Sequence, residues 1–432
     1  MTWTVWAALA VTACAIVALV KRAETRMVLI VAGFAMAILS LNPMEAFRQF
    51  DKSMTNAGLI ISICSAMGFA AVVSLTKCDI HLVALLTKPL KKMGLMLLPL
   101  CMLVTGFVAI AIPSTAGCVA AVGPTLIPLM IRAGFRPAAA AAAVVASITP
   151  AMFNPGVAHN VMVSKIAEIE VMDFVLRYSN FTIMCVISVI VIVTALAFFY
   201  RDFGGKYETN ETKAASGNTT GNGAKTAEPD LPAKPNILYA IAPMVPVALL
   251  VVVSLKMPEL KMSVATAMLI GTVYALAVTR TNPADVTKKF FDGMGRGYAS
   301  ILGIIIAAGV FAAGLRSCGV INLFVDYLTS ANEVAKIGGS FGPYVLGVLT
   351  GSGDAATFAF NEAVTPHARS FGLEPDLLGY LAMMSAHFGR LSSPLAGGLI
   401  LAAGIAGVNP IEIVKRTAPA MFVTMIVLYA VL

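Results

Sequence analysis

The chain carries the same pattern of residues twice, and this duplication constrains its fold more than any other feature. Asn42-Pro43 corresponds to Asn282-Pro283 at an offset of 240 residues. Offsets of 238 and 239 relate segment 134–137 to 372–375 and Asn154-Pro155 to Ser393-Pro394. Two unrelated apolar sequences would not keep nearly one offset from residue 42 to residue 155, so the chain consists of two repeats.

The composition places both repeats in a membrane. Apolar residues make up 59% of the 432 residues and charged residues only 12%, about half of the ~25% usual in soluble domains. Such a chain cannot cover its apolar surface with polar side chains, so lipid must be its solvent. The net charge of +8 lies in short clusters between apolar runs, which is typical of membrane topology rather than of a nucleic-acid partner. We therefore predict an all-α membrane protein.

A polar segment separates the repeats. Residues 201–236 contain almost no large apolar side chain and predict a flexible cytoplasmic linker between a first membrane repeat, 1–200, and a second, 237–432. Each repeat has one apolar stretch interrupted by small and polar residues: 93–131 is interrupted at 112–117, and 336–368 at 350–356. We interpret each stretch as a re-entrant hairpin that enters and leaves the membrane on one side.

The distribution of basic residues orients the chain. With the N-terminus outside and five crossings per repeat, 20 of the 30 Lys and Arg residues lie inside, as expected for cytoplasmic loops. An odd number of crossings inverts the second repeat relative to the first. The sequence thus predicts about ten transmembrane helices, two opposed hairpins and both termini outside. Inverted repeats with interrupted helices are typical of secondary transporters, which bind substrate near the midplane where the repeats meet.

Polar residues at the interruptions are the candidates for such a site. The first repeat offers the tip 113–117 and the interrupted stretch 149–155, and the second offers 351–354 and 387–394. On the helix after the second tip, helical spacing places Asp354, Thr357, Asn361 and Thr365 on one polar stripe. Asp354 is the candidate ion-coupling residue. The candidate substrate-binding residues are Ser114, Thr115, Asn154, Ser352, Gly353, Thr357, Asn361, His387, Arg390, Ser392 and Ser393.

Arg390 indicates the charge of the substrate. It lies within an apolar span, where an arginine costs at least ~2.5–3.5 kcal/mol and usually has a partner or a task. Its guanidinium can hold one carboxylate through two hydrogen bonds. Helix N-termini at the two tips can hold a second carboxylate. This set of groups suits a dicarboxylate.

Each candidate also has a structural alternative. Ser, Thr and Asn commonly cap helices, and Asp354 would cap a helix that begins at Ala355. For Arg390, the alternative to substrate binding is a structural salt bridge to Asp354 or Glu362. Without that salt bridge, Glu362 is expected to face another helix or water. His387 has the alternative of a hydrogen-bonded core residue. Packing is the predicted role of His159 and Asn160.

The chain resembles the ion transporter superfamily in its two hairpins, its two interrupted helices and their tips rich in Ser, Thr and Asn. The run GSGDAATFAFNEAVTPHA at 351–368 and the following GRLSSP are similar to the anaerobic four-carbon dicarboxylate carriers of the DcuC type. This resemblance implies an elevator-type homodimer in the bacterial cytoplasmic (inner) membrane. It also implies antiport or proton-coupled symport of succinate and fumarate, without a cofactor.

The same resemblance bears on the coupling ion. The first tip reads Ser114-Thr115-Ala116, which differs from the Ser-Asn-Thr of the sodium-coupled dicarboxylate carriers. A proton is therefore the predicted coupling ion, and sodium is the alternative.

Three other functions are compatible with parts of the sequence: transport of another small organic anion, a passive anion channel, and an intramembrane aspartyl protease. The protease is suggested by GSGD at 351–354, but its chemistry needs a second aspartate that shares a proton with the first. The nearest candidate, Asp326-Tyr327, has the reverse of the order found in that family. We therefore predict that the chain is not an enzyme.

Overall fold

The computed structural model describes residues 3–21, 23–87, 96–204, 232, 234–260, 262–320 and 332–432, and every regular element among them is a helix. The predicted all-α class is thereby confirmed. Most of the predicted linker, residues 205–231 and 233, lies outside the described residues. The start of the predicted first hairpin, 93–95, and Asp326-Tyr327 also lie outside them.

The first half, residues 3–204, contains eleven α-helices among its described residues. They are α1 (Trp3–Val20), α2 (Thr25–Leu39), α3 (Pro43–Met54), α4 (Ala57–Leu75), α5 (Cys78–Thr87), α6 (Leu97–Ala111), α7 (Thr115–Arg132), α8 (Pro137–Ala146), α9 (Ala158–Ile166), α10 (Val171–Arg177) and α11 (Ser179–Phe199).

The second half, residues 234–432, contains ten α-helices in its described part. They are α12 (Ile237–Ile241), α13 (Val245–Lys256), α14 (Val264–Thr279), α15 (Pro283–Gly297), α16 (Gly303–Ser317), α17 (Asn332–Thr350), α18 (Gly353–Ala363), α19 (Pro375–Leu391), α20 (Gly397–Ala406) and α21 (Pro410–Val431). A π-helical turn, Tyr298–Leu302, joins α15 to α16.

Corresponding helices of the two halves begin at corresponding positions. α3 and α15 begin at Pro43 and Pro283, and α8 and α19 begin at Pro137 and Pro375. Proline suits the first turn of a helix because its missing N–H would have no partner there. The offsets seen in the sequence are thus also the offsets between these helices.

Each interrupted apolar stretch is a pair of helices joined by a short tip. Residues 112–114 separate α6 from α7, residues 351–352 separate α17 from α18, and the helices of each pair pack together. Ser114 Oγ and Ser352 Oγ cap α7 and α18 by accepting backbone N–H groups at 3.3 and 3.2 Å. Gly351 has φ of +68°, a conformation that glycine adopts without steric cost.

A third interruption bends the chain by 41° between α8 and α9. A short 3₁₀ helix, Thr149–Phe153, follows α8. Asn160 Nδ2 donates hydrogen bonds to the carbonyl oxygens of Met152 and Asn154 at 2.8 and 3.0 Å. These bonds satisfy carbonyl groups that the interruption would otherwise leave without partners.

The corresponding interruption in the second half is shorter than the predicted stretch 387–394. α19 continues through His387 and Arg390 to Leu391, and only residues 392–396 separate it from α20. The reason is that the first proline of this stretch is Pro394. The N–H groups before it are free to bond, and that of Ser392 still donates to the carbonyl of Phe388.

Three apolar cores meet around the candidate site. The largest is contributed mainly by α6–α8, α11 and α19–α21, the second by α2, α4, α9, α16 and α18, and the third by α4, α14 and α15. Met152, Ile63 and Met268, one from each core, all line the cavity described below.

Four described helical segments are long and apolar enough to cross a membrane, and the bent pair α8–α9 makes a fifth. The four are Ala57–Leu75, Thr115–Arg132, Ser179–Phe199 and Pro283–Ser317. Six shorter apolar helices are distributed over both halves. The count of ten crossings, the re-entrant course of the hairpins and the inverted orientation of the halves stay predictions.

Candidate functional site

Both hairpin tips and the interruption between α8 and α9 line one cavity of about 460 Å³. Small-molecule sites usually enclose roughly 300–1,000 Å³. Most of the wall is apolar and includes Ile63 and Phe69 of α4 and Met268 of α14. The polar side chains that line it are Ser114, Thr115, Asn154, His159, Ser352, Asp354 and Arg390.

The charged centre of the cavity is Asp354. Its Oδ1 lies 3.0 Å from His159 Nε2 and 3.4 Å from Arg390 Nη1. The Asp354 side chain is 37% exposed, whereas those of Arg390 and His159 are 15% and 5% exposed. The carboxylate therefore faces the cavity and has two partners that are more deeply buried than itself.

Two helix N-termini reach the same cavity. α7 begins next to Ser114 and α18 next to Ser352, and both capping residues are on the wall. The first turns of helices have N–H groups without intrahelical partners and carry partial positive charge, so they favour anions. The cavity thus combines two anion-favouring helix ends with one guanidinium.

Asp354 does not cap α18. The helix begins at Gly353, two residues earlier than the start at Ala355 considered from the sequence, and Ser352 is its cap. The Ser352 hydroxyl accepts the N–H of Ala355, so the carboxylate of Asp354 is left for His159 and Arg390.

Both described hydrogen-bond partners of Arg390, Asp354 and His387, belong to the second half. Arg390 Nη2 lies 3.3 Å from His387 Nδ1 on the preceding turn of α19, and its buried Nε has no hydrogen-bond partner among the described residues. The salt bridge considered for Arg390 is present with Asp354. Glu362 instead lies 3.3 Å from Nε2 of Gln49 in α3.

Several wall residues are engaged in local structure. Ser114 and Ser352 are caps, as considered from the sequence. Asn154 Nδ2 donates to the carbonyl of Ile110 at 2.7 Å, and its Oδ1 accepts the N–H of Gly156 at 2.8 Å. Thr115 Oγ1 is buried without a partner in the described part of the chain.

Six candidate residues do not line the cavity: Gly353, Thr357, Asn361, His387, Ser392 and Ser393. The polar stripe of α18 leaves the wall after Asp354 because Thr357 and Asn361 are fully buried. Asn361 Oδ1 accepts a hydrogen bond from Thr365 Oγ1 at 2.6 Å. This placement does not support direct contact between substrate and the residues of the stripe that follow Asp354 in sequence.

The remaining candidates of this group have protein partners. Ser392 Oγ donates to the carbonyl of Phe388 and accepts the Tyr344 hydroxyl at 3.1 Å. Ser393 Oγ accepts the N–H of Leu395. Both serines therefore stabilise the turn between α19 and α20.

His159 is the wall residue that the sequence argument assigned to packing. Its ring contacts Phe358, but it also bonds to Asp354, which lies 195 positions away in sequence. An ionisable residue inside an apolar segment is by itself a reason to suspect function, and this signal was available in the sequence. No group of three or more His, Cys, Asp or Glu side chains in the described chain is placed to hold a metal ion.

Two solved structures share the fold. The YdaH transporter of Alcanivorax borkumensis matches with a TM-score of 0.58 over 89% of this chain and 86% of that one, at 14% sequence identity. MtrF of Neisseria gonorrhoeae, described within a class of antimetabolite efflux pumps, matches with a TM-score of 0.60 over 90% and 83%, also at 14% identity. The fold is therefore one that transporters use.

Sequence relatives are closer. A Haemophilus influenzae protein named as an uncharacterized transporter is 38% identical over 283 residues, 64% of this chain and 98% of that protein. The anaerobic C4-dicarboxylate transporter DcuC of Escherichia coli K12 is 27% identical over 383 residues, 85% of this chain and 78% of the relative.

The family model described as DcuC, C4-dicarboxylate anaerobic carrier, matches residues 7–432. This match confirms both the resemblance noted in the sequence and the prediction that the chain is not an enzyme. It excludes the protease alternative. The chain belongs to the DcuC family of anaerobic C4-dicarboxylate carriers.

Proposed function

We propose that the protein is a secondary active transporter of four-carbon dicarboxylates such as succinate and fumarate. It works in the bacterial cytoplasmic membrane by antiport or proton-coupled symport. The observation that carries this proposal is the single cavity in which Arg390, Asp354 and the N-termini of α7 and α18 meet. Family membership supports the substrate class.

The cavity offers separate places for the two ends of a dicarboxylate. One carboxylate accepts hydrogen bonds from the guanidinium of Arg390, which lines the cavity. The other lies against the N–H groups that open α7, beside Thr115. The apolar wall of α4 and α14 contacts the short carbon chain between them.

Asp354 is the proposed coupling residue. It holds the guanidinium of Arg390 when no substrate is bound, so a substrate carboxylate must compete with it. Asparagine keeps the shape of this side chain but can neither gain a proton nor carry charge. We therefore expect Asp354→Asn to lose accumulation driven by a pH gradient while one-for-one exchange persists. Accumulation at the wild-type level would show that coupling lies elsewhere.

The test of the substrate class is uptake into proteoliposomes loaded with a panel of mono- and dicarboxylates, with pH and sodium varied independently. Saturable exchange of labelled succinate for internal succinate or fumarate is expected, and this exchange distinguishes a carrier from a passive channel. Strict preference for monocarboxylates, or for another class of organic anion, contradicts the proposal. A requirement for sodium at constant pH would make sodium the coupling ion.

We further propose an elevator-type homodimer, as the family resemblance implies, with both termini outside, as the distribution of basic residues predicts. Cysteine cross-linking in membranes tests the dimer, and labelling of single cysteines at each terminus in intact cells tests the topology. Labelling that requires membrane permeabilisation would contradict the external termini.

A further inference from the structure

We infer that His159 carries the proton taken up when a dicarboxylate binds, through an exchange of partners at Asp354. This inference rests on the proposed function and names a residue of the first half as part of the coupling site. In the unloaded site, Asp354 pairs with Arg390. In the loaded site, the substrate carboxylate takes Arg390, and Asp354 pairs with protonated His159.

The first observation is that one carboxylate oxygen serves two partners. Asp354 Oδ1 is 3.0 Å from His159 Nε2 and 3.4 Å from Arg390 Nη1. The contact with the guanidinium is the longer one. A substrate carboxylate that binds Arg390 therefore removes one of two existing partners, and His159 is already in place as the other.

The second observation is the state of the imidazole ring. His159 is buried, its ring contacts Phe358, and its Nδ1 has no hydrogen-bond partner among the described residues. A neutral ring that donates from Nε2 to Asp354 leaves Nδ1 as a free acceptor. Addition of a proton to Nδ1 breaks no hydrogen bond of the described structure. Nδ1 is enclosed by protein in the unloaded site, so the ring takes up a proton from solvent only while the site rearranges around the substrate, and the proton leaves from Nδ1 when the substrate departs.

The two histidines at this site have opposite neighbours. His387 Nδ1 lies 3.3 Å from Arg390 Nη2, so it can accept from the guanidinium only while that nitrogen is unprotonated. Protonation of His387 would place two cations side by side. His159 faces a carboxylate instead, which stabilises an imidazolium. The geometry assigns the proton to His159 and the orientation of Arg390 to His387.

Three other charged groups near α9 have partners away from His159. α9 packs against α4, α10, α18 and α19. Glu362 of α18 faces Gln49, and Arg177 of α10 is paired with Asp376 of α19. The Asp, Glu, Lys, Arg, His, Cys and Tyr residues of the five helices are Cys64, His159, Lys165, Asp173, Arg177, Asp354, Glu362, Asp376, Tyr380, His387 and Arg390.

Charge balance favours the same event. Asp354 and Arg390 together carry no net charge when His159 is neutral. A dianion would then bring two uncompensated negative charges into a mostly apolar cavity, and one proton on His159 halves that excess. Uptake of about one proton per substrate follows, with affinity that rises as pH falls.

The test uses calorimetry of succinate binding to the purified carrier in buffers of different ionisation enthalpy, which counts protons taken up. We expect about one proton per succinate for the wild type. His159→Gln keeps a donor near Nε2 but cannot be protonated, so its uptake should fall to near zero and its dissociation constant should lose its pH dependence. His367→Gln is the matched control, because His367 is half-buried away from the cavity, and it should keep the wild-type uptake.

The outcomes separate the two proposals. A wild type that binds no dicarboxylate contradicts the proposed function itself. A wild type that binds succinate without proton uptake, or His159→Gln with undiminished uptake, overturns the role of His159 alone. Loss of uptake in His387→Gln with normal uptake in His159→Gln would assign the proton to the other histidine and also overturn it.

A second measurement covers a His159→Gln variant that does not fold. The chain has four histidines, so ¹⁵N-histidine labelling yields four sets of imidazole signals. One set should change from neutral ring to imidazolium when succinate is added. That response should persist in His81→Gln and His367→Gln, and the responding set should still be present in the spectrum of unliganded His387→Gln. Its disappearance in His81→Gln or His367→Gln, or its absence from unliganded His387→Gln, would refute the assignment.

Discussion

Arg390→Lys tests whether this residue binds substrate or only holds Asp354. The arginine reaches Asp354 through Nη1 at 3.4 Å and His387 through Nη2 at 3.3 Å, and its Nε is left without a described partner. A lysine keeps the positive charge but replaces the planar group by a single nitrogen. It cannot hold a carboxylate through two parallel hydrogen bonds.

The expected loss corresponds to one charge-assisted hydrogen bond in a largely dehydrated site. Such a bond contributes roughly 1.5–3 kcal/mol, so its loss should raise the dissociation constant about ten- to hundredfold. The assay is equilibrium binding of labelled succinate to purified carrier. Arg369→Lys is the control, because the Arg369 side chain is 76% exposed and lies away from the cavity. Its affinity should not change.

The alternative role is separated by combining the substitution with Asp354→Asn. If Arg390 only fixes Asp354, Arg390→Lys should cause no further loss once the carboxylate is absent. If Arg390 binds substrate, Arg390→Lys should still weaken binding in the Asp354→Asn background, although the two effects need not add because the residues are in contact. An affinity within about twofold of wild type in the single Arg390→Lys variant would refute the reasoning.

Three further predictions concern the scaffold of the site. Gly389→Ala should lower the free energy of unfolding by about 1–3 kcal/mol, because a Cβ there overlaps the Tyr344 carbonyl oxygen. The control Gly342→Ala, whose Cβ meets no atom within 4 Å, should leave the free energy of unfolding unchanged or raise it by up to about 1 kcal/mol. Equal unfolding temperatures of the two variants would contradict this. Arg416→Ala should lower the free energy of unfolding by about 3 kcal/mol, the lower end for a broken buried ion pair. It removes bonds at 2.7 and 2.8 Å to the buried Asp202 carboxylate, which keeps Arg136 Nε at 3.6 Å. Lys415→Ala at an exposed neighbouring position is the control in the same melting assay. Deletion of half of residues 205–232 should leave succinate exchange intact, because that segment is polar and a flexible linker only has to join its two ends; normal insertion with lost exchange would show another role.

Local chemistry allowed much of the fold to be predicted. Runs of apolar residues predicted the helices, and small polar residues at 112–117 and 350–356 predicted where two of them stop. These stops are governed by residues next to them, such as Ser114 and Ser352 at the helix starts. Because the two repeats are related by a nearly constant offset, helix positions predicted in one half also predicted those in the other half.

The direction of side chains on a helix was harder to predict. Spacing predicted that Asp354, Thr357 and Asn361 share one face of α18, but it did not show how far the packing of α9, α16, α17 and α19 against α18 would bury that face. Only the first residue of the stripe reaches the cavity, because Thr357 and Asn361 are fully buried. Packing between segments that are distant in sequence decides which neighbour covers a helix face. The periodicity of polar residues along one helix does not reveal that neighbour.

A shift of two residues in a helix start changed the assignment of Asp354. A helix that began at Ala355 would have made Asp354 its cap, whereas the start at Gly353 gives that role to Ser352. Helix ends are uncertain by one or two residues, and Ser352 and Asp354 are both residue types that commonly cap helices, so local sequence does not choose between them. The bond between His159 and Asp354 joins the two halves over 195 positions and was equally out of reach.

The unequal chemistry of the halves gives the proposed selection of a dicarboxylate a structural basis. Duplication supplies two helix N-termini, those of α7 and α18, at one cavity. Arg390 and Asp354 both come from the second half, and the first half adds His159 and hydroxyl groups. In the proposed binding mode, a dicarboxylate engages the guanidinium with one end and the N-terminus of α7 with the other, so its two ends meet different chemistry. A monocarboxylate of the same length can satisfy only one of these places and leaves the other without its anion, while it still has to compete with Asp354 for Arg390. Displacing Asp354 from Arg390 costs free energy, and in this proposal only binding of a second carboxylate at the N-terminus of α7 offsets that cost. The proposed selectivity for a dicarboxylate thus follows from the different polar groups that the two halves contribute.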